Sequence, residues 1–285
     1  MDQRIINLYD EYTHKPLTRE VFLKRLAILT GSMALALSIA PLLESNHAKA
    51  ATIPEDDDEI ETETILYDSD GVTMQAYTAK PKKGIHLGGV LVIHENRGLT
   101  EHIKDVTRRA AKAGYLAMAP DALSASGGTP ANEDEARKLF TSLDAKQNLA
   151  NFIKSLEVLR TRKDCNKKTG CVGFCWGGAL ANQLAVNDPK LNAAVAFYGR
   201  QPDAVDVPKI KATVQLHYGG LDERINAGIP AYEEALKKAG TKYELFVYEG
   251  VNHAFHNDTS EARYYVAAAL LAWRRTLECF AANLK

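Results

Sequence analysis

Three short segments carry the side chains best suited to covalent chemistry: Gly173-Phe174-Cys175-Trp176-Gly177-Gly178, Gly219-Gly220-Leu221-Asp222 and Asn252-His253-Ala254-Phe255. In the first, one cysteine flanked by small residues stands between a candidate strand (170–174) and a candidate helix (176–186). That is the G-x-S-x-G nucleophile elbow with sulfur in place of oxygen. Such a turn strains the backbone at the nucleophile, so Gly173 and Gly177 are expected to keep Cβ atoms from colliding. It also sets the thiol at a helix N-terminus, where the dipole favours thiolate and the following amide can stabilise an oxyanion. A nucleophilic cysteine needs a base, and the base needs an orienting acid. His253 and Asp222 are the candidates, each at the tip of a glycine-containing turn.

The elements around these segments must deliver all three side chains to one edge. The sequence predicts an antiparallel hairpin (61–67 and 73–79), then a fully apolar strand (88–94) of the kind buried on both faces. A helix (101–113), a short strand (115–119) and helical stretches 132–143 and 146–162 come next. After the elbow, strands at 193–198, 212–217 and 243–248 alternate with helix 231–239, and a long helix starts at 261. Strands alternating with helices predict an α/β fold with a mostly parallel, doubly wound sheet. An opening hairpin leading into it is the α/β-hydrolase order, in which nucleophile, acid and histidine follow one another at the carboxyl ends of strands. Cys175, Asp222 and His253 satisfy that order.

From about Thr62 to its end, the chain resembles the dienelactone hydrolases, the cysteine branch of the α/β-hydrolases. The resemblance rests on Ile93-His94-Glu95-Asn96-Arg97-Gly98, Ala119-Pro120-Asp121, the cysteine elbow, Phe197-Tyr198-Gly199, Gly219-Gly220-Leu221-Asp222 and His253-Ala254-Phe255. It implies Cys175 as nucleophile, His253 as general base and acid, and Asp222 as the carboxylate that holds His253. It further implies that Glu95 lies beside the resting thiol and gates its ionisation, with the backbone amides of Asn96 and Trp176 as the oxyanion hole. The implied activity is hydrolysis of a small ester or lactone through a thioester, with no cofactor. The family's two substrate-binding arginines have no counterpart in Asp121-Ala122-Leu123-Ser124-Ala125-Ser126-Gly127 or in His256-Asn257-Asp258. Arg97 and Arg200 are candidate substitutes, with Tyr198 and Phe255 as further candidate pocket residues. Glu95 reads equally as a strand-end carboxylate paired with Arg97, and Trp176 and Phe255 as plain core. His94, His102, His217 and His256 are expected to pack or face solvent. Two other functions fit the same residues: a catalytically silent hydrolase fold that binds a ligand, and a thiol redox protein using Cys175.

The chain has 285 residues, 46% hydrophobic and 25% charged, with a net charge of -1. This supports one large domain and gives no reason to expect nucleic acid as partner. Its 4 cysteines are too few for a disulfide scaffold, and no Cys/His spacing marks a metal site. A Cys165–Cys171 disulfide across the predicted loop 166–170 is conceivable in an exported protein. Residues 1–50 are set apart as a signal peptide or N-terminal anchor: Arg19, Lys24 and Arg25 precede the apolar run 26–43, and Ala48-Lys49-Ala50 follows it. The segment 18–24 resembles a twin-arginine motif with Glu20 in place of the second arginine. Export, to the periplasm, is the expectation, with membrane contact only through that segment. An acidic leader (51–60) then opens onto the domain at 61–285.

Overall fold

The computed structural model describes residues 2–43 and 52–285. Eight strands form one sheet in the order β1-β2-β4-β3-β5-β6-β7-β8. The hairpin β1 (Ile60–Ser69) and β2 (Val72–Pro81) is antiparallel, and β2 also runs antiparallel to β4 (Leu116–Pro120). The other pairings, linking β3 (Leu87–Ile93), β4, β5 (Cys165–Phe174), β6 (Ala193–Phe197), β7 (Thr213–Gly219) and β8 (Tyr243–Tyr248), are parallel. This is the α/β-hydrolase architecture expected from the sequence.

The central strands read as continuous apolar runs because each is buried on both faces. In β3, Val90 and Val92 join one hydrophobic cluster, while Leu91 and Ile93 join another on the opposite side. Val172 and Phe174 face the first cluster, and Cys171 faces the second. Helices α4 (Glu101–Lys112) and α10 (Val266–Leu284) cover the first face; α6 (Ala145–Thr161) and α7 (Trp176–Asn187) cover the second. Between α4 and α6 lies α5 (Glu133–Thr141), and between β7 and β8 lie the short α8 (Glu223–Asn226) and α9 (Ile229–Ala239).

Three expectations need correction. The predicted loop 166–170 is part of β5, which bulges against β3 between Leu87 and Gly89. Cys165 and Cys171 therefore sit six residues apart on one strand, which at about 3.3 Å per residue is far beyond disulfide reach; all four cysteines are free thiols. The last helix begins at Val266, not 261. The acidic leader, set apart from the domain in sequence, is tied onto it: Ile53 is clamped by Asp105 (2.7 Å) and Arg108 (2.7 Å), and Asp57 pairs with Lys112 at 2.9 Å.

Residues 2–43, which the sequence sets apart as a signal peptide or anchor, are helical. They form three helices: α1 (Gln3–His14), α2 (Arg19–Thr30) and α3 (Met33–Leu43). The apolar run breaks at Gly31, a left-handed helix cap at φ 87°, and α3 turns 112° away from α2. Among the described residues no single helix is long and apolar enough to cross a membrane. Ile5, Leu8, Tyr9, Tyr12, Phe22, Leu26 and Leu43 form a small core of their own, and α1 lies over the carboxyl edge of the sheet. The segment Ala48-Lys49-Ala50, read as a processing signal, lies outside the described residues.

Candidate active site

Cys175 is the N-cap of α7 at φ 55° and ψ −111°, a backbone region that non-glycine residues rarely adopt. Its amide donates to the Phe197 carbonyl (3.0 Å), and its carbonyl accepts from Ala179 (3.0 Å). The turn closes so tightly that a Cβ on Gly173 would overlap the Gly177 carbonyl. One on Gly177 would strike the carbonyls of Ile93 and His94. Both glycines are needed for the reason the sequence suggested.

Asp222 and His253 are held by loops that hydrogen-bond to one another. Gly220 donates to Tyr248 (2.8 Å) and Leu221 to Val251 (3.0 Å), which ties the β7 loop to the β8 loop. Asp222 then caps α8 with Oδ1, accepting from Ile225 at 3.3 Å, and accepts from His253 Nδ1 on Oδ2 at 2.5 Å. With both carboxylate oxygens fixed, His253 turns its Nε2 inward. That atom is buried and has no hydrogen-bond partner among the described residues. The next residue, Ala254, sits at φ 61°.

The cysteine and this histidine do not hydrogen-bond directly. Sγ of Cys175 and a ring nitrogen of His253 are within 4.8 Å, but the nearer imidazole is His14, at the end of α1, with Nε2 3.0 Å from Sγ. His14 Nδ1 contacts the Asp10 carbonyl at 2.8 Å and its carboxylate at 3.2 Å. Burial disfavours the His14 cation, but the Cys175 sulfur and Asp10 outweigh it and push its pKa up to about 9. Burial likewise opposes the Asp10 charge, yet neighbouring His253, His14 and Arg224 hold that carboxyl far below its usual range.

The remaining expected residues fall into two groups. Asn96, Trp176, Tyr198 and Arg200 line a cavity of about 710 Å³ together with Cys175, His253 and His14. Trp176 stacks on the His94 ring at 5.4 Å, and the Asn96 side chain donates to the Thr13 carbonyl at 2.6 Å. Arg97 and Phe255 are not among the cavity's lining residues. Arg97 pairs with Glu133 (2.5 Å) and Tyr9 (2.9 Å), while Phe255 is fully buried core. Glu95 accepts from Asn257 at 2.7 Å and from the Tyr198 hydroxyl at 3.5 Å. Burial, then the Glu95 and Cys175 charges, push the Tyr198 pKa well up, keeping its hydroxyl a donor.

His94, His102, His217 and His256 are all buried. His102 pairs with Asp258 at 2.8 Å and His217 with Tyr248 at 2.9 Å. His14 and Asn257 are the residues that sequence reasoning missed. Asn257 lay in a stretch inspected only for arginine, and the sole signal for His14 was its place in the polar segment before the apolar run.

A strained cysteine at a strand–helix turn, with a buried Asp–His pair beside it on an eight-stranded sheet, defines a hydrolase of the α/β class. The dienelactone hydrolase family matches residues 74–284, and the chain belongs to that family. A "Putative carboxymethylenebutenolidase" of Methylorubrum extorquens is 33% identical over 285 residues, covering 93% of this chain and 95% of the relative. The protein of the same description from Escherichia coli O157:H7 is 35% identical over 228 residues, covering 74% and 83%. Among solved structures, the "Putative Dienelactone Hydrolase" of Klebsiella pneumoniae superposes with a TM-score of 0.71 at 31% identity, over 78% of this chain and 98% of that one. The chain is thus a hydrolase of the ester and lactone type.

Proposed function

We propose that this hydrolase works through Cys175 as nucleophile, His253 as general base and acid, and Asp222 as the group that orients His253. The observation that carries this is the strained Cys175 at the N-terminus of α7, with a buried His253 nitrogen beside it that has no partner among the described residues. The thiolate attacks the ester carbonyl, and the oxyanion forms where the amides of Trp176 and Asn96 can donate. Collapse expels the alcohol, which takes its proton from the His253 imidazolium and leaves a thioester on Sγ. His253 then deprotonates a water that hydrolyses the thioester, returning the thiol. Glu95, held by Tyr198 and Asn257, gates the ionisation of the thiol. The substrate is a small ester or lactone that fits a cavity of about 710 Å³.

The test is hydrolysis of p-nitrophenyl acetate, with mass spectrometry of the protein quenched during turnover. The expected result is an acyl mass on Cys175, and in Cys175→Ala a loss of activity on the order of 10⁴-fold. Hydrolysis unchanged by that substitution would overturn the proposal. We also propose that residues 1–50 direct export as an uncleaved N-terminal anchor, so that His14 stays on the exported chain. Recovery of the full-length chain from a periplasmic fraction, read by intact mass, checks this, and recovery only in the cytoplasm refutes it.

A further inference from the structure

No local spacing in the sequence marks a metal site, because the relevant ligands come from residues 14, 175 and 253. In the fold, Sγ of Cys175 and one ring nitrogen each of His14 and His253 lie within 4.8 Å of one another. A thiol and two imidazoles are the donor set that holds zinc and similar borderline cations, whereas calcium or magnesium would want oxygen.

Each histidine is also backed by a carboxylate, as metal-bound imidazoles are. Asp222 meets His253 Nδ1 at 2.5 Å, and Asp10 meets His14 Nδ1 at 3.2 Å. These contacts leave both Nε2 atoms for a ligand near the sulfur. His14 Nε2 is already 3.0 Å from Sγ. The His253 nitrogen is buried and has no hydrogen-bond partner among the described residues, which leaves it available to a ligand. Donors on one tetrahedral zinc lie about 3.4–3.5 Å apart, so side-chain shifts on the order of an ångström would close the set.

We propose that Cys175, His14 and His253 bind a single divalent cation of the zinc class, and that the loaded form is hydrolytically closed. Binding takes a thiolate from Cys175 and neutral imidazoles from His14 and His253, and the protons that the thiol and the His14 imidazolium carry go to solvent. The cation then occupies both the nucleophile and the base, with its fourth position facing the cavity. It also fastens the end of α1 to the elbow, so metal and the N-terminal helices close the site together. The binding claim stands on the three side chains alone, and only the closure rests on the thiol-hydrolase reading.

The experiment uses the full chain, stripped with a chelator and titrated with Co²⁺ alone, without substrate. One equivalent is expected to give a thiolate-to-cobalt charge-transfer band. The band should vanish in Cys175→Ser and in His14→Ala, and Asp10→Asn should weaken affinity by about 10–100-fold. Thermal melting without metal verifies that each variant is folded. A folded wild type without the band, or a band retained by His14→Ala at unchanged affinity, overturns the site. Zn²⁺ added to the stripped enzyme should suppress p-nitrophenyl acetate hydrolysis, and chelator should restore it. A cobalt band accompanied by undiminished hydrolysis in Zn²⁺ overturns the closure while leaving the binding site standing.

Discussion

The sheet and the N-terminal cap both contain fully buried aromatic cores, yet they are joined to the rest of the molecule in different ways. Phe174 sits in β5, with its neighbours fixed by strand ladders on both sides and helices above and below. Phe22 is equally buried, but its cluster draws almost entirely on α1, α2 and α3. What holds α1 to the domain is a row of polar contacts along the site rim. Gln3 meets Asn252 (2.5 Å), Tyr9 meets Arg97 (2.9 Å), Tyr12 meets Asp134 (2.8 Å), Asn96 meets the Thr13 carbonyl (2.6 Å) and His14 meets Cys175 (3.0 Å). Such contacts are each worth only about 0.5–1.5 kcal/mol net. The sheet supplies stability, and the cap lies over a site the sheet has already built.

The sharpest way to break that comparison is to make the same cut in both regions. Phe174→Ala and Phe22→Ala each remove a fully buried ring, at a cost of about 3–5 kcal/mol. In the sheet this should lower the global melting temperature. In the cap it should appear as lost amide protection in residues 3–43, with β3 to β7 unchanged. Equal falls in global melting for both variants would show that cap and sheet unfold as one unit.

The same contrast explains what the sequence could and could not show. The sheet was readable because its signals are local: the Leu87–Ile93 run, the elbow around Cys175, and glycine turns delivering Asp222 and His253. Chain order did the rest, since late strands of a parallel sheet present their loops at one edge. The cap was not readable, because its defining contact, His14 to Cys175, joins residues 161 positions apart. The apolar run beside it matches an export signal equally well. Asn257 was hidden for a related reason: its partner Glu95 lies on the far side of the nucleophile in sequence, and an asparagine carries no motif. Arg97 was misplaced because its position after β3 says nothing about the direction its guanidinium takes. That direction is set by Glu133 and Tyr9, one of them in the cap.

A smaller effect should follow from pH. His14 is held at a pKa of about 9 when docked, against 6.5 for an unperturbed histidine. Docked His14 therefore keeps a proton that undocked His14 loses. Its contribution is fully present below about pH 6.5 and disappears as pH rises through about 9. At most this amounts to about 1.4 kcal/mol per pH unit across that window. Hydrogen exchange of the α1 amides, corrected for the intrinsic rate, should show opening of α1 over this range while the sheet amides stay protected. The transition should flatten in His14→Gln. An α1 whose protection is independent of pH would mean that the cap is held by its other contacts alone.

The smallest expected effect concerns the edge where cap and sheet share the cavity. Four arginines line it, and three are already engaged: Arg137 with Asp134 (3.3 Å), Arg224 with Asp10 (3.3 Å) and Arg19 with Asp134 (3.9 Å). Arg200, exposed after β6, has no carboxylate partner among the described residues, and only its main-chain carbonyl is engaged, by Asn182. Among the four arginines it is the one placed to meet an anionic substrate, in a chain that lacks both arginines of the dienelactone hydrolase pattern. Arg200→Ala should lower kcat/KM for a carboxylate-bearing lactone by about tenfold, the value of one charge-assisted hydrogen bond of ~1.5 kcal/mol. A neutral ester of the same size should be affected little, because its transition state makes no use of the guanidinium. The ratio of the two constants is the measurement. If it does not change, selectivity at this rim comes from the cap's own arginine and the shape of α1, and the balance between the two regions shifts toward the cap.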